Sequence, residues 1–546
     1  MAHRLPLRLR ALGSVLAAGS AVALSRPAFF SDSNDRRRSP TPLGQVFRSY
    51  LVYSLCSIPP LVDKSPKILE TLSAIPGVAS LTEAFVRRTF YAQFVGGDTA
   101  LDTLPLLRQL RKDNKGILFA YSVEDDEEST GAEGSSAYKE RVEETIRCID
   151  VAADFEDSSS SPTALGRRTW VAVKLSALVP SAEPLRTLST HLEATRPPLA
   201  VPFPGHARPS DLAVLDTRNV NVHSGLSAGD VKILRELRDD LRRGVRIIVD
   251  AEYTWWQPAI DAYTHSLMRT FNRDTGVQPL VYGTFQAYLR RTHAQLTHAI
   301  ADARKEGYAL GVKLVRGAYH PHECARHARL PSIQSPPPVW ERIEDTDAQY
   351  LACTQLLLNA VAADVNRPSS GWFSSSGKND TPRIGVLFGT HNPSSCEAIV
   401  RGMLAKGLAS PVASPVDGDD SEFNIPSVRI DARVAERLAI GQLYGMCDWL
   451  TNTLVDRVSA PFPFVIKYVP YGALVEVMPY LSRRAIENKS VLGGRGGARE
   501  ERKRAGEELR IVGAGQAAAV IEEVVPPLFG MARGIAEAAE VRTVQT

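Results

Sequence analysis

The sequence predicts an α/β fold: a distorted (β/α)8 TIM-like barrel with an N-terminal helical region and long loop insertions. Three observations carry that prediction. Eight short apolar runs recur along the chain, each ending in polar or small residues. Between them lie amphipathic stretches at helical spacing, such as 228–243, 257–272, 292–306 and 346–363. Near-continuous apolar strands alternating with such helices need a parallel sheet covered on its faces. The eight units also spread over more than the roughly 250 residues usual for the barrel, which leaves length for inserted loops. An open doubly wound sheet is the alternative for the same alternation.

The runs are 117–123 (ILFAYSV), 171–178 (VAVKLSAL), 246–252 (RIIVDAE), 280–288 (LVYGTFQAY), 311–319 (GVKLVRGAY), 384–392 (IGVLFGTHN), 438–446 (LAIGQLYGM) and 462–469 (FPFVIKYV). Pro470, Tyr471 and Gly472 read as a turn after the eighth. A helix of about four turns then runs to Asn488. Leu474, Met478, Leu481 and Ala485 form its apolar stripe. Tyr480, Arg483, Arg484 and Glu487 stand together on the adjacent face. Two guanidiniums beside a tyrosine make a clamp for a carboxylate or phosphate, because each offers fixed parallel donors. The same pattern also suits the solvated face of an ordinary amphipathic helix.

Outside the barrel, residues 1–40 read as a mitochondrial transit peptide. They carry Arg4, Arg8, Arg10 and Arg26, with no acidic residue before Asp32. The apolar stretch 11–24 makes a secretory signal the rival reading. Residues 41–110 form a helical N-terminal region, 111–492 the barrel, and 493–546 a flexible hinge with a charged helical tail. Polar, Pro/Ser/Gly-rich insertions fall at 125–134, 158–161, 195–215, 331–338, 366–380 and 408–422. A net charge of +3 without a basic, aromatic-laced stripe gives no reason to expect nucleic acid. Six scattered cysteines with no C-x-x-C suggest reduced thiols. No later run reaches the roughly 18 apolar residues of a spanning helix.

Barrel enzymes take their catalytic groups from the C-terminal strand ends. Those ends carry Lys174, then Asp250 and Glu252, then Gln286, then Lys313, Arg316 and Tyr319. The later strands add Thr390, His391 and Asn392, then Gln442, Leu443 and Tyr444, and finally Lys467 and Tyr468. Polar groups at so many apolar strand ends are costly unless they converge on something. Mutual pairing, for example Lys174 with Asp250, is the structural alternative. Three other patterns are weaker. The 510–518 run RIVGAGQAA matches a dinucleotide fingerprint but lacks the βαβ context. His320, His322 and Glu323 have no partner set at other strand ends, so no metal is expected. A Schiff base on Lys174 needs a depressed lysine pKa, which a neighbouring Asp250 would oppose.

The motifs VKLSAL, VDAE, KLVRGAY, GTHN, GQLYGM, KYVPYG and YLSRRAIEN, in this order and with Gln286 on its strand, resemble the proline dehydrogenase (proline oxidase) family, of the mitochondrial FAD-dependent type. The resemblance covers about 94–492. It implies a distorted barrel that binds FAD without a Rossmann domain. It implies oxidation of L-proline to Δ1-pyrroline-5-carboxylate by hydride transfer to FAD. Electrons would pass to ubiquinone at the matrix side of the mitochondrial inner membrane, with peripheral association. By motif, Arg483 and Arg484 would hold the proline carboxylate, and Lys174, Asp250, Leu443, Tyr468 and Tyr480 would complete the pocket. Asp250, Gln286, Lys313, Val315, Arg316, Gly317, Ala318, Thr390, His391, Asn392, Gln442 and Glu487 would lie along the flavin. Bacterial members of the family have arginine where Lys313 stands, lysine where Arg316 stands and tryptophan where His320 stands. A smaller polar residue in place of Tyr468 accompanies hydroxyproline use in the family, so Tyr468 points to proline. Hydroxyproline oxidation, or a catalytically silent proline-binding barrel, are the competing functions.

Overall fold

In the computed structural model the eight runs become eight parallel strands. These are β1 (Lys115–Tyr121), β2 (Thr169–Val173), β3 (Arg246–Val249), β4 (Val281–Gln286), β5 (Leu310–Val315), β6 (Ile384–Gly389), β7 (Leu438–Leu443) and β8 (Val465–Tyr471). They pair in sequence order, and β8 closes onto β1 from Lys115↔Val465 to Tyr121↔Tyr471. The structure describes residues 43–58, isolated positions from 60 to 75, and 78–122, 134–158, 167–179, 181–196, 206–208, 210–211, 245–273, 278–329, 336–366, 384–412, 424–489 and 501–510. The leader 1–40, most of each inserted loop, the 228–243 stretch and the 511–518 part of the RIVGAGQAA run lie outside the described residues.

The core follows from the strand period of two, which sends alternate side chains inside and outside the barrel. Leu118, Ala120, Trp170, Ala172, Ile248, Tyr282, Leu387, Ala439 and Ile466 fill the inside, with Tyr468 packed against them. Ile117, Phe119, Val171, Val173, Ile247, Val249, Val312, Leu314, Val386, Phe388, Val465 and Val469 face outward into the helix layer. That layer includes helices Gln257–Phe271, Thr292–Glu306, Ile343–Val365 and Pro393–Ala405. Most of the strands therefore bury apolar side chains on both faces, which is why the runs show no clean alternation in sequence.

Several boundaries differ from the sequence reading. β2 stops at Val173, and Leu175–Leu178 turn as a short 3-10 helix. β8 starts at Val465 and continues through Pro470 and Tyr471, which pair with Ala120 and Tyr121. The predicted turn fails because β1 offers partners that far, and the Pro470 carbonyl accepts the Gly96 N–H at 2.8 Å. The turn falls instead at Gly472, whose φ of +147° suits glycine. The following helix is Met478–Lys489, shorter than the predicted four turns, so Leu474 precedes it.

The chain divides into two compact units: Phe94–Tyr480, which contains the barrel, and Met1–Gln93 together with Leu481–Thr546. Within the second unit, helix Leu43–Cys56 buries Val46, Val52, Tyr53 and Cys56. Its Arg48 and Ser49 side chains both donate to Gln93 Oε1, at 3.4 and 3.1 Å. Among the described residues no helix is long and apolar enough to cross a membrane.

Lys467, a strand-end candidate from sequence, is turned into the outer layer by the alternation. It is 1% exposed, and its ammonium donates to Met446 O (3.0 Å), Asp448 Oδ1 (2.9 Å) and Thr451 Oγ1 (3.0 Å). All three N–H bonds are used, which makes a buried lysine tolerable. Lys467→Met removes them and leaves a buried carbonyl unpaired. We expect a loss of about 2–4 kcal/mol, read as a lower urea midpoint with an unchanged slope.

Candidate active site

Asp250 follows β3 directly, and its N–H continues the ladder to Val173 O at 2.9 Å. The register therefore points its side chain inward, beside that of Ile248. Lys313 points inward from β5, and its Nζ lies 2.6 Å from Asp250 Oδ1 across β4. The Lys174–Asp250 pair suggested by sequence is replaced by this one, because β3 and β5 present their polar groups at the same height. Thr284 sits between them on β4 and donates to Val249 O at 2.8 Å. The two charged side chains keep 13% and 14% exposure, so the pair is neither dry nor fully solvated.

Tyr468 closes this group from β8. The Lys313 ammonium lies 5.7 Å from its ring centroid, a cation–π contact. The phenol oxygen is 3.2 Å from Ser122 Oγ, just past β1. Burial, with the Asp250 charge adding to it, raises the Tyr468 phenol above its ordinary range, so it stays neutral. Glu252 is 3% exposed and accepts the Ser176 N–H at 3.1 Å and the Ser176 hydroxyl. Burial holds its carboxyl above the usual range, against the opposing pull of the Ser176 bond and of Lys174. Gln286, inward on β4, donates to Glu252 O at 3.1 Å.

The ends of β5, β6 and β7 form a second cluster. His391 Nε2 accepts the Leu443 N–H at 3.0 Å, which places the proton of the neutral ring on Nδ1. Thr390 Oγ1 accepts from Asn392 N (3.0 Å) and from Arg316 Nη1 (3.0 Å). Arg316 also donates to Asp347 Oδ1 at 2.8 Å and Ser395 Oγ at 2.9 Å, and lies 4.5 Å over the Tyr350 ring. Asn392 caps helix Pro393–Ala405 by accepting the Ser395 N–H. Gln442 faces outward: its amide donates to Thr390 O at 3.2 Å and accepts the Thr451 hydroxyl at 2.5 Å. Its odd position on β7, next to inward Gly441 and Leu443, dictates that direction. The side chains of Arg316, Thr390, Asn392 and Gln442 thus bond within the protein, while Lys313 and Val315 stand on the inward register.

Two glycines let neighbouring side chains pack directly onto the backbone here. A Cβ on Gly317, whose φ is +128°, would stand 2.6 Å from the Tyr288 ring. A Cβ on Gly389 would stand 2.8 Å from Val315 Cγ1. Ala318, next to Gly317, is exposed. His320 bonds elsewhere, its Nε2 lying 2.8 Å from Trp340 O, and Glu323 accepts from Thr254 N and Oγ1 at 2.8 and 2.6 Å. Tyr480 is 2% exposed within the barrel unit. In the other unit, Arg484 is 5% exposed and donates to Glu487 Oε1 at 2.6 Å, whereas Arg483 is half-buried. Sequence reasoning missed Ser122, Ser176 and Thr284. Counting by twos from Ala120 and from Tyr282 would have put Ser122 and Thr284 on the inner face.

A closed parallel barrel with an inward Asp–Lys pair, a buried carboxylate and a tyrosine over a cation at its C-terminal strand ends has the layout of a barrel enzyme. The chain belongs to the proline dehydrogenase family, whose model matches residues 105–413 and 424–494, and it is an oxidoreductase of that type. It is 29% identical over 472 residues to the hydroxyproline dehydrogenase of Mus musculus, covering 85% of this chain and 90% of that one. It is also 29% identical over 465 residues to mitochondrial proline dehydrogenase 1 of Dictyostelium discoideum, covering 82% and 70%. The human mitochondrial proline dehydrogenase 1 is 26% identical over 587 residues, covering 87% and 89%. Among solved structures, proline utilization A from Bdellovibrio bacteriovorus aligns at a TM-score of 0.49 and 18% identity, covering 82% of this chain. This chain spans 36% of that protein's length.

Proposed function

We propose that this protein oxidises L-proline to Δ1-pyrroline-5-carboxylate, with FAD as cofactor and ubiquinone as the final acceptor, at the matrix side of the mitochondrial inner membrane. The observation that carries the substrate is Tyr468: an aromatic ring on the inner face, fixed at its hydroxyl by Ser122 and at its face by Lys313. A ring in that place would crowd a 4-hydroxyl on a bound pyrrolidine. The mitochondrial address is supported by the names of the Dictyostelium and human relatives and by the Arg-rich first residues.

The residues suit FAD. Lys313 stands inward beside Asp250, 2.6 Å from its Oδ1. A cation in that place would favour an anionic reduced cofactor. Gly317 and Gly389 lack side chains because the Tyr288 ring and Val315 fill the space a Cβ would take, which packs these two strand ends tightly. Gln286, Lys313, Val315, Gly317, Ala318 and His391 are the residues we assign to it, with Arg316, Thr390, Asn392 and Gln442 holding their backbone in place. When bound, FAD supplies the hydride acceptor.

The chain's own residues do the rest. Arg483 and Arg484 would fix the proline carboxylate, so that a non-reacting group orients the reacting carbon. Leu443, Tyr468 and Tyr480 would exclude water and press on the pyrrolidine ring. Hydroxyproline is the second reading, supported by the mouse relative.

One experiment separates these readings. The purified flavoprotein should lose its flavin absorbance when mixed anaerobically with L-proline. It should discriminate against trans-4-hydroxy-L-proline by at least roughly tenfold in kcat/KM, about 1.4 kcal/mol. Tyr468→Ser should narrow that ratio, lowering activity on proline while sparing or raising it on hydroxyproline. A colourless protein unable to take up FAD would sink the proposal. Equal losses on both substrates would mean that Tyr468 supports the fold and does not read the ring.

A further inference from the structure

We infer that Ser122 is a positioning residue that sets substrate selectivity by holding the Tyr468 ring upright, an inference that rests on the reading of Tyr468 above. Ser122 lies one position past β1, and its N–H donates to Tyr471 O at 3.1 Å, so its backbone is locked into the β1–β8 seam. It is 4% exposed, and its hydroxyl is 3.2 Å from the Tyr468 hydroxyl. β1 and β8 are paired along their whole length, with Leu118 opposite Tyr468. The hydroxyl that pairs with the phenol therefore comes from a neighbour whose backbone is fixed in the β1–β8 seam.

A half-buried phenol must find a partner, because burying an unpaired hydroxyl is costly. Around Tyr468 stand four groups that interact with it: Ser122, Asp250, Lys174 and Tyr480, with Lys313 against the ring face. Burial and the Asp250 charge keep the phenol protonated, so it always has an O–H to give. Of those groups, Asp250 is the strongest acceptor, and it is already held by Lys313 at 2.6 Å. Ser122 is what keeps the phenol on the β1 side and away from that ion pair. Without the serine hydroxyl, the phenol gains most by tilting toward the Asp250 carboxylate. A tilt moves the ring edge off the position it would hold against the middle of a pyrrolidine, and so opens space for a 4-substituent.

Ser122→Ala should therefore raise the proline KM severalfold with kcat nearly unchanged. It should also reduce the proline-to-hydroxyproline ratio in kcat/KM by about fivefold. Ser122→Thr, which keeps the hydroxyl, should restore both values toward wild type. In a Tyr468→Phe background, which lacks the phenol, Ser122→Ala should change neither. A serine that merely packs the barrel would give the same loss in both backgrounds, and that additivity would overturn the inference. If Tyr468→Ser alters selectivity but Ser122→Ala does not, the inference fails while the reading of Tyr468 stands. If neither alters it, the reading of Tyr468 fails as well. Should Ser122→Ala not fold, Ser122→Cys, of similar size but a weaker hydrogen-bonding group, should show the same loss at smaller amplitude, and an unchanged ratio there would again overturn it.

Discussion

Asp250→Asn should cost about 2–3 kcal/mol in kcat/KM, a fall of roughly 30- to 150-fold, and a comparable amount of stability. The cause is the partner it leaves behind. Lys313 Nζ sits 2.6 Å from the carboxylate with 13% exposure, and no other carboxylate is paired with it among the described residues. Removing one member of a fully buried pair costs about 3–5 kcal/mol, chiefly by stranding the other charge. The remaining exposure of this pair admits some water and reduces that figure. The stranded ammonium also stays near the Tyr468 ring, where it would be drawn to whatever anion enters the site. The diagnostic is the double variant. If the damage comes from an uncompensated charge, Asp250→Asn with Lys313→Met should be more stable than Asp250→Asn alone. Losses in urea midpoint that simply add would show that the two side chains act independently.

The barrel was legible because its signal is redundant. Eight runs, most of them apolar on both faces, separated by helical stretches, admit few architectures, and the structure has the closed parallel barrel with β8 against β1. Strand ends were less legible. The sequence reading ended β8 at Val469 and made a turn of Pro470, although Tyr121 and Ala120 extend the pairing two residues further. Proline as a breaker is a local rule, and a long partner strand overrode it. At the site, the types of residue could be listed but not their directions. Lys467 and Gln442 turn out to the helix layer while their neighbours Tyr468 and Leu443 turn in, a consequence of register that composition does not carry. Pairing was harder still. Asp250 meets Lys313, sixty-three positions away, because β3 and β5 flank β4 at equal height. Ser122 lay inside the first apolar run, but nothing in that run shows that its hydroxyl meets Tyr468 from the neighbouring strand.

The arginine pair on helix Met478–Lys489 supports the other large expectation. Arg484→Met should raise the KM for proline by about 30- to 150-fold, or 2–3 kcal/mol, with a smaller effect on kcat. An ordinary solvated face would leave its arginines in water, yet Arg484 is 5% exposed while Ile486 on the same helix is 49% exposed. A guanidinium is not buried without charge compensation. Glu487, one turn on, supplies part of it through a single nitrogen at 2.6 Å. A guanidinium presents a planar fork that a carboxylate fits in bidentate fashion. With Glu487 holding that guanidinium from one side, Glu487→Gln should weaken proline binding less than Arg484→Met does. Arg484→Lys should not rescue fully, since an ammonium keeps the charge but loses the parallel donors. Ile486→Ala, on the exposed side of the helix, serves as the control and should leave KM unchanged. Wild-type KM values in both Arg483→Met and Arg484→Met would place the carboxylate elsewhere. The polar stripe would then be a feature of helix packing alone.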